Sequence, residues 1–378
     1  MKTLKKLLIF IIVSTSLFYI VKYNSFKSDL IVLPKTISSK HLMPKTQIEK
    51  DDELKNRFLA HQKKYPVLFK TFLENTNEKE MSYQIIKNFI NDFYKYYPDY
   101  FKSGINIYDI GCGTGEFSAS IVDVFKNILP DRASNITFGG IDIQESFVIS
   151  TIDLVQQKGV TKTNVKVGNF IDDPIDSKLI KSASFVIASH FAYVFKDMDQ
   201  FISKVETLLQ KNGIAIFIHS SNKPIDNIRQ KFKKFLKNAR IDNTIEKIHN
   251  SLAKSGLTYY NFEFSPVVKF PNLNDKDWDR LQNIEYGKFN TDYSYFSRKT
   301  LKAKNLIEFF IADLLEAFNN EERNAILKEF KAVLKFYNNI IPITNSIQIV
   351  CSRDSNLMIK NFILNLSNYR TQDTIKVS

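Results

Sequence analysis

Short apolar runs alternate with helix-periodic segments through the middle of this chain. Ile105–Ile110, Ile136–Ile143, Val165–Val167, Phe185–Ser189 and Gly213–Ile218 are apolar stretches of strand length. Between them, Glu116–Ile128, Ser146–Lys158 and Asp199–Leu209 repeat apolar residues every three or four positions, which marks helices with one buried face. Strands apolar on both faces and separated by helices predict a parallel sheet covered on both sides. The third helix runs into Lys211-Asn212-Gly213, which predicts a C-cap with Gly213 in the left-handed region.

The flanks are read in the same way. Leu54, Phe58 and Leu59, then Ile85, Phe89, Ile90 and Phe93, predict helix between Asp51 and Tyr97, broken by Pro98. Beyond the core, Ile225–Ala239 and Asn243–Lys254 read as helices and "GLTYYNFEFSPVVKF" as one long β segment. Leu301–Phe318 and Glu321–Tyr337 read as two more helices, and Ser346–Cys351 as a closing strand. The expected fold is α/β: a doubly wound, mostly parallel seven-stranded sheet with helices on both faces, a helical substrate cap and an N-terminal hydrophobic segment. The expected boundaries are 1–22 for that segment, 23–50 for a linker holding Pro34 and Pro44, and 51–353 for the main domain. Within the domain, the core covers 105–219, cap and C-terminal helices 220–340, and the last strand 346–351; a polar tail covers 354–378.

Composition narrows the class. Hydrophobic residues make up 44% of the 378 and aromatics 13%, enough to build a core and too many for a disordered chain. The formal charge is +13, but the lysines are scattered, whereas phosphate-binding faces cluster their cations. No nucleic-acid partner is expected. Cys112 and Cys351 are the only cysteines, and Cys112 lies inside a glycine loop, so no disulfide framework is expected. No His/Cys cluster has metal-ligand spacing, so no metal is expected. Lys2, Lys5 and Lys6 precede an uncharged run, Leu7–Val21, closed by Lys22. That is the layout of a signal-anchor or signal peptide, implying a membrane-anchored or exported chain. A monomer is expected.

The candidate chemistry centres on Ile107–Phe117, "IYDIGCGTGEF". A strand, a glycine turn and a helix start bring backbone amides and a helix N-terminus to a ligand. Gly111, Gly113 and Gly115 have no Cβ to hold that ligand away. The second strand ends at Asp142, an acidic residue able to accept hydrogen bonds from ribose hydroxyls. The third ends at Asn169 and Phe170, a polar and a flat side chain suited to an adenine. Ser189 closes the fourth. All stand at the carboxyl ends of adjacent parallel strands, where open α/β sheets bind ligands.

The form "DIGCGTG", from Asp109 to Gly115, resembles the first motif of the Rossmann-like S-adenosylmethionine-dependent methyltransferases. "SFVIASHFAYVFKDMDQFISKVETLLQKNGIAIFI" resembles their fourth strand, helix and fifth strand. The likeness implies S-adenosyl-L-methionine as cofactor, with Asp109, the three glycines, Asp142, Asn169, Phe170 and Ser189 around it. Outside this core, "FKTFLENTNEKEM", "SHFAYVFKD", "GLTYYNFEF" and "NNIIPITNSIQIV" resemble the histamine N-methyltransferases. That narrower resemblance implies a small-molecule amine substrate touched by Glu78, His190, Tyr193 and Asn345; imidazole chemistry, able to take a proton from the attacking nitrogen, makes His190 the expected catalytic residue. His190 stands where the family has glutamine, Val194 where it has a second tyrosine, and Ile225 and Arg229 where it has tryptophans. The expected activity is methyl transfer to a nitrogen of a small amine or imidazole-type acceptor. The alternatives are a membrane-tethered S-adenosylmethionine-binding sensor or scaffold without turnover, or a protein methyltransferase.

Overall fold

The computed structural model describes residues 45–129, 135–192, 195, 197–220, 227, 229–233, 244–288 and 293–366. The chain divides into two compact units. Among the described residues, one draws on the stretches 77–223, 242–266 and 343–366, and the other on 45–76, 224–241 and 267–342.

The first unit holds the sheet. Its strands are β1 (Ile105–Ile110), β2 (Ile136–Asp142), β3 (Lys162–Val167), β4 (Ala183–Ser189), β5 (Leu209–Ser220), β6 (Tyr259–Phe264) and β9 (Asn345–Cys351). They are ordered β3-β2-β1-β4-β5-β9-β6. β1 to β5 pair in parallel, and β9 runs antiparallel between β5 and β6. Side-chain alternation explains the unbroken apolar runs. Ile107, Phe185, Ile187, Ile214, Ile216, Ile347 and Ile349 join one buried cluster. Their neighbours Tyr108, Val186, Ala188, Ala215, Phe217 and Val350 join another on the opposite face. The second unit contains α1 (Lys45–Leu73), and α2 (Glu78–Tyr96), α3 (Glu116–Ile128) and α4 (Glu145–Gln157) follow in the first. α2 and α3 cover the first face, whereas α5 (Met198–Leu208) and α6 (Thr244–Ser255) cover the second.

The second unit contains α1, α7 (Asp275–Gln282), α8 (Arg298–Ile311) and α9 (Asn320–Phe336). It also holds the antiparallel pair β7 (Val267–Lys269) and β8 (Ile340–Pro342). Asn274 and Asn319 form capping boxes at the starts of α7 and α9. Its interior carries charge. Arg57 pairs with Asp313, and Lys304 sits between Glu308 and Glu316, all buried.

Several elements depart from the sequence expectations. Helix already begins at Lys45, inside the stretch read as linker 23–50, and residues 74–77 separate α1 from α2. Asn212, at φ +66°, takes the left-handed turn expected of Gly213. Gly213 serves close packing instead: a Cβ there would stand 2.8 Å from the Ala183 carbonyl oxygen. "GLTYYNFEFSPVVKF" is two strands in two different sheets, broken at Ser265-Pro266. α8 stops at Ala312, φ +54°, because the Asp313 and Glu308 carboxylates take the amides of Leu314 and Leu315. The tail 354–378 is not wholly polar: Leu357–Leu364 forms α10, capped by Asn356, with Ile359, Phe362 and Ile363 in the core. The run Leu7–Val21 and most of Ile225–Ala239 lie outside the described residues. Among the described residues no helix is long and apolar enough to cross a membrane.

Candidate functional site

The glycine loop leaves the tip of β1 and enters α3. The Gly111 amide donates to the Ile141 carbonyl at 2.8 Å, which ties the loop to β2. Gly113 has φ +55°, and a Cβ there would meet nothing within 4 Å, so the loop presents bare backbone to open space. Gly115 has another purpose. At φ +82° its Cβ would lie 2.5 Å from the Thr151 Cα, so glycine is what lets α3 start against α4. Thr151 Oγ1 also donates to the Gly113 carbonyl at 3.0 Å. The Phe191 ring lies against Gly111.

Asp142 ends β2 directly beside this loop. Its Oδ2 accepts from the Gly113 amide at 3.0 Å and its Oδ1 from the Gln144 amide at 2.9 Å. Burial raises its pKa, against the pull of the Gln144, Gly113 and Ile143 amides. Asp109 lies deeper, and its Oδ2 accepts from Ser118 Oγ at 2.5 Å. Burial pushes Asp109 up to about 7, opposed by Ser118 and reinforced by Asp142. It braces the loop from within. Burial pushes the Cys112 thiol up to about 12, so it stays protonated and is no nucleophile.

The third strand end is less open than its sequence suggests. Phe170 is buried in the second-face cluster, its ring edge-on to Phe201 at 6.0 Å. Its face is therefore used in packing rather than offered to an adenine. The Asn169 side chain serves its own loop, donating to Asp172 and accepting from the Ile171 amide. Ser189 is half-buried at the tip of β4, paired with Ile218.

Beyond Ser189 the site acquires a second part. Glu78, the first residue of α2, is buried, and its Oε1 accepts from His190 Nε2 at 3.0 Å and from Asn345 Nδ2. Burial works to raise its pKa; the His190 charge and bond, the Asn345 bond and Lys79 outweigh it and hold the carboxylate below its ordinary value. Glu78 is thus an ionised, buried carboxylate. His190 is kept at φ +51° with its amide bonded to the Ile218 carbonyl at 2.8 Å, and its side chain is 40% exposed. Three remote sequence positions therefore meet at the strand tips. Phe191, the next residue after His190, touches Gly111 and joins this group to the loop.

His219 was not apparent from the sequence. It is buried near the end of β5, its ring edge-on to His190 at 6.3 Å. Burial, then His190, depress its pKa well below 6.5, so it is neutral. No spacing in the sequence singles it out; in the sheet the next residue, Ser220, pairs with Asn345. His219 Nε2, Asn345 Oδ1 and Ser82 Oγ are buried without a hydrogen-bond partner. Tyr193 and Ile225 lie outside the described residues. Arg229 belongs to the second unit, where its Nε donates to the Phe310 carbonyl. A groove of about 300 Å³ between α2 and α3, lined by Lys79, Glu80, Tyr83 and Glu116, opens on the flank. Its lining includes neither Asp142 nor a strand tip, so it is a solvated side groove. Among the described residues no His, Cys, Asp and Glu group could hold a metal ion.

The glycine turn and these strand tips belong to a seven-stranded, mostly parallel α/β sheet of the Rossmann-like kind. More particularly, residues 101–256 match the family described as "Methyltransferase domain", and that match supports S-adenosylmethionine as the cofactor. Two observations fit that cofactor: the open space over Gly113 and the Asp142 carboxylate beside it. "Probable polyketide synthase 5" of Dictyostelium discoideum is 29% identical over 179 residues, 42% of this chain and 7% of that protein. "Probable polyketide synthase 42" of the same organism is 26% identical over 183 residues, 46% of this chain and 6% of that one. The chain thus spans less than a tenth of the length of these relatives. Among solved structures, the YcgJ protein of Bacillus subtilis is similar at 13% identity and TM-score 0.39, over 66% of this chain and 93% of that one. The Haemonchus contortus phosphoethanolamine N-methyltransferase 2 with S-adenosyl-L-methionine is similar at 12% identity and TM-score 0.35, over 66% and 49%.

Proposed function

We propose that this chain transfers a methyl group to a nitrogen of a small amine or imidazole-type acceptor. The observation that carries this reading is the meeting of Glu78, His190 and Asn345 beside the glycine loop. Bound S-adenosylmethionine supplies an electrophilic methyl group on a sulfonium. Gly113 and Asp142 would hold it, the one by close backbone approach and the other through its carboxylate. His190, whose Nε2 lies 3.0 Å from Glu78 Oε1, would take the acceptor's proton on its imidazole ring. Glu78 then stabilises the resulting imidazolium, and Asn345 fixes the carboxylate. The Glu78 carboxylate and the unpartnered amide oxygen of the neighbouring Asn345 can only accept hydrogen bonds. Two such acceptors side by side suit a cationic ammonium group.

A second reading has its own support. The matched stretches of the polyketide synthases favour a carbon or oxygen acceptor, from which the same His190–Glu78 pair would remove the proton. Release of S-adenosylhomocysteine is the test, measured with a panel of primary amines, imidazoles and β-ketoacyl thioesters. Turnover confined to amines and imidazoles supports nitrogen methylation, and turnover confined to thioesters overturns it. Cofactor binding with no release from any acceptor points to a sensor without turnover.

A further inference from the structure

α10 carries apolar residues on both sides, those facing outward interspersed with Lys360 and Asn361, and only its inward side is explained by the core. Ile359, Phe362 and Ile363 point inward, and Phe362 packs against Phe89 and Phe93. On the outward side Leu357 is 71% exposed, Met358 66% and Leu364 56%. Tyr96, 46% exposed, extends the patch through its ring contact with Phe362, and Tyr97 Oη donates to the Met358 carbonyl. Together these side chains expose roughly 400 Å² of largely apolar surface, within the range of functional patches on monomers.

We propose that this face rests on an anionic membrane surface. Four observations favour lipid. First, the patch is about half of the ~800 Å² per partner that a stable dimer buries, so a second copy fits it poorly. Second, Arg353, Lys181 and Lys102 along this edge are paired with Glu206, Asp354 and Asp99. Among the described residues Lys95 and Lys360 have no carboxylate in ion-pair reach, leaving positive charge beside the apolar face, the pairing that interfacial helices use. Tyr96, with Lys95 Nζ 5.8 Å from its ring centroid, is a residue type favoured at headgroup level.

Third, the placement leaves the chemistry free. β9 ends at Cys351, opposite Ile214 near the start of the parallel run of β5, and α10 follows from there. The patch thus lies at the end of the sheet away from the glycine loop, Asp142 and His190. Fourth, the sequence carries the lysine-flanked apolar run Leu7–Val21, and residues 22–44 extended would span up to ~75 Å. That reach allows a membrane-inserted segment and a surface-resting α10 in one molecule.

The test uses the full chain with Met358→Cys carrying an environment-sensitive fluorophore; Cys112 and Cys351 are buried. A second probe at Ser146→Cys reports on exposed residues of α4 at the other end of the sheet. Phosphatidylcholine–phosphatidylglycerol vesicles are expected to shift the 358 emission to the blue and raise it severalfold, with the 146 probe unchanged. Leu357→Asp with Leu364→Asp is expected to abolish the 358 response while circular dichroism stays native. A 358 probe as wet on vesicle-bound chain as in solution overturns the proposal, and so does failure of the chain to bind vesicles. A blue shift that follows protein concentration without lipid assigns the face to a second copy instead.

Discussion

At the scale of the residue, the account turns on buried carboxylates with opposite behaviour. Glu78 is held ionised by His190 and Asn345, whereas burial raises Asp109 to about 7. Glu78→Gln removes the charge that would stabilise a protonated His190. It is expected to lower turnover by about 10²–10⁴-fold while S-adenosylmethionine affinity stays within about threefold; equal losses in both would contradict the assigned roles. For Asp109 the sign follows from its raised folded-state pKa. Its contribution to stability is full below the ordinary carboxylate range and is lost as pH rises through about 7. Denaturant titrations between about pH 4 and 7 are therefore expected to show stability falling and then levelling above 7, and Asp109→Asn to flatten that fall by up to about 1.4 kcal/mol per pH unit. Glu308, also raised to about 7 by burial, leaves a residual slope in the variant. An Asp109→Asn profile identical to wild type would remove the charge argument. That Asp142 would stand beside the glycine turn was legible because the motif and the next strand end are local signals. Glu78, His190 and Asn345 were reached only through resemblance, since no periodicity links positions so far apart. His219 went unread because a lone histidine in an apolar strand carries no spacing signal. Phe170 misled because aromatic character does not reveal which way a ring is packed.

At the scale of the element, the strands from β1 to β5 and the helices between them were readable because each buries a face with its own period. What failed were short-range competitions. Asn212 rather than Gly213 takes the positive φ because the glycine is needed against the Ala183 carbonyl. α8 stops early because two carboxylates capture the next amides. α10 hid in a polar tail, although Asn356 was a usable N-cap. Its inward side chains are structural, so Phe362→Ala is expected to cost about 3–5 kcal/mol in denaturant unfolding; a loss under about 1 kcal/mol would show that α10 is not part of the core. The glycine loop divides into two functions that substitutions separate. Gly115→Ala, which drives a Cβ into Thr151, is expected to destabilise the fold by more than about 2 kcal/mol. Gly113→Ala meets no neighbour, so only the backbone cost of about 1–2 kcal/mol applies, and its larger effect is expected on cofactor affinity. Thermal melts and binding measurements on the pair would show the opposite ranking if Gly113 had no ligand to face.

At the scale of the whole molecule, the parallel sheet places one functional edge where β1, β2, β4 and β5 end, with α10 leaving from the other. The second unit is held by its own core and its buried Arg57, Lys304, Glu308, Asp313 and Glu316 charges. Its helices were legible as periodic segments, but a sequence pattern cannot show that residues 45–76 and 267–342 form one compact body. The central claim is that the glycine turn and Asp142 form the S-adenosylmethionine site. Isothermal calorimetry of the full chain with S-adenosylmethionine tests it most directly, repeated with Asp142→Ala and Glu78→Gln. One cofactor per chain, tenfold or more weaker binding in Asp142→Ala and near-native binding in Glu78→Gln is the predicted result. No heat of binding, or an Asp142→Ala variant that binds as tightly as the native chain, would contradict it.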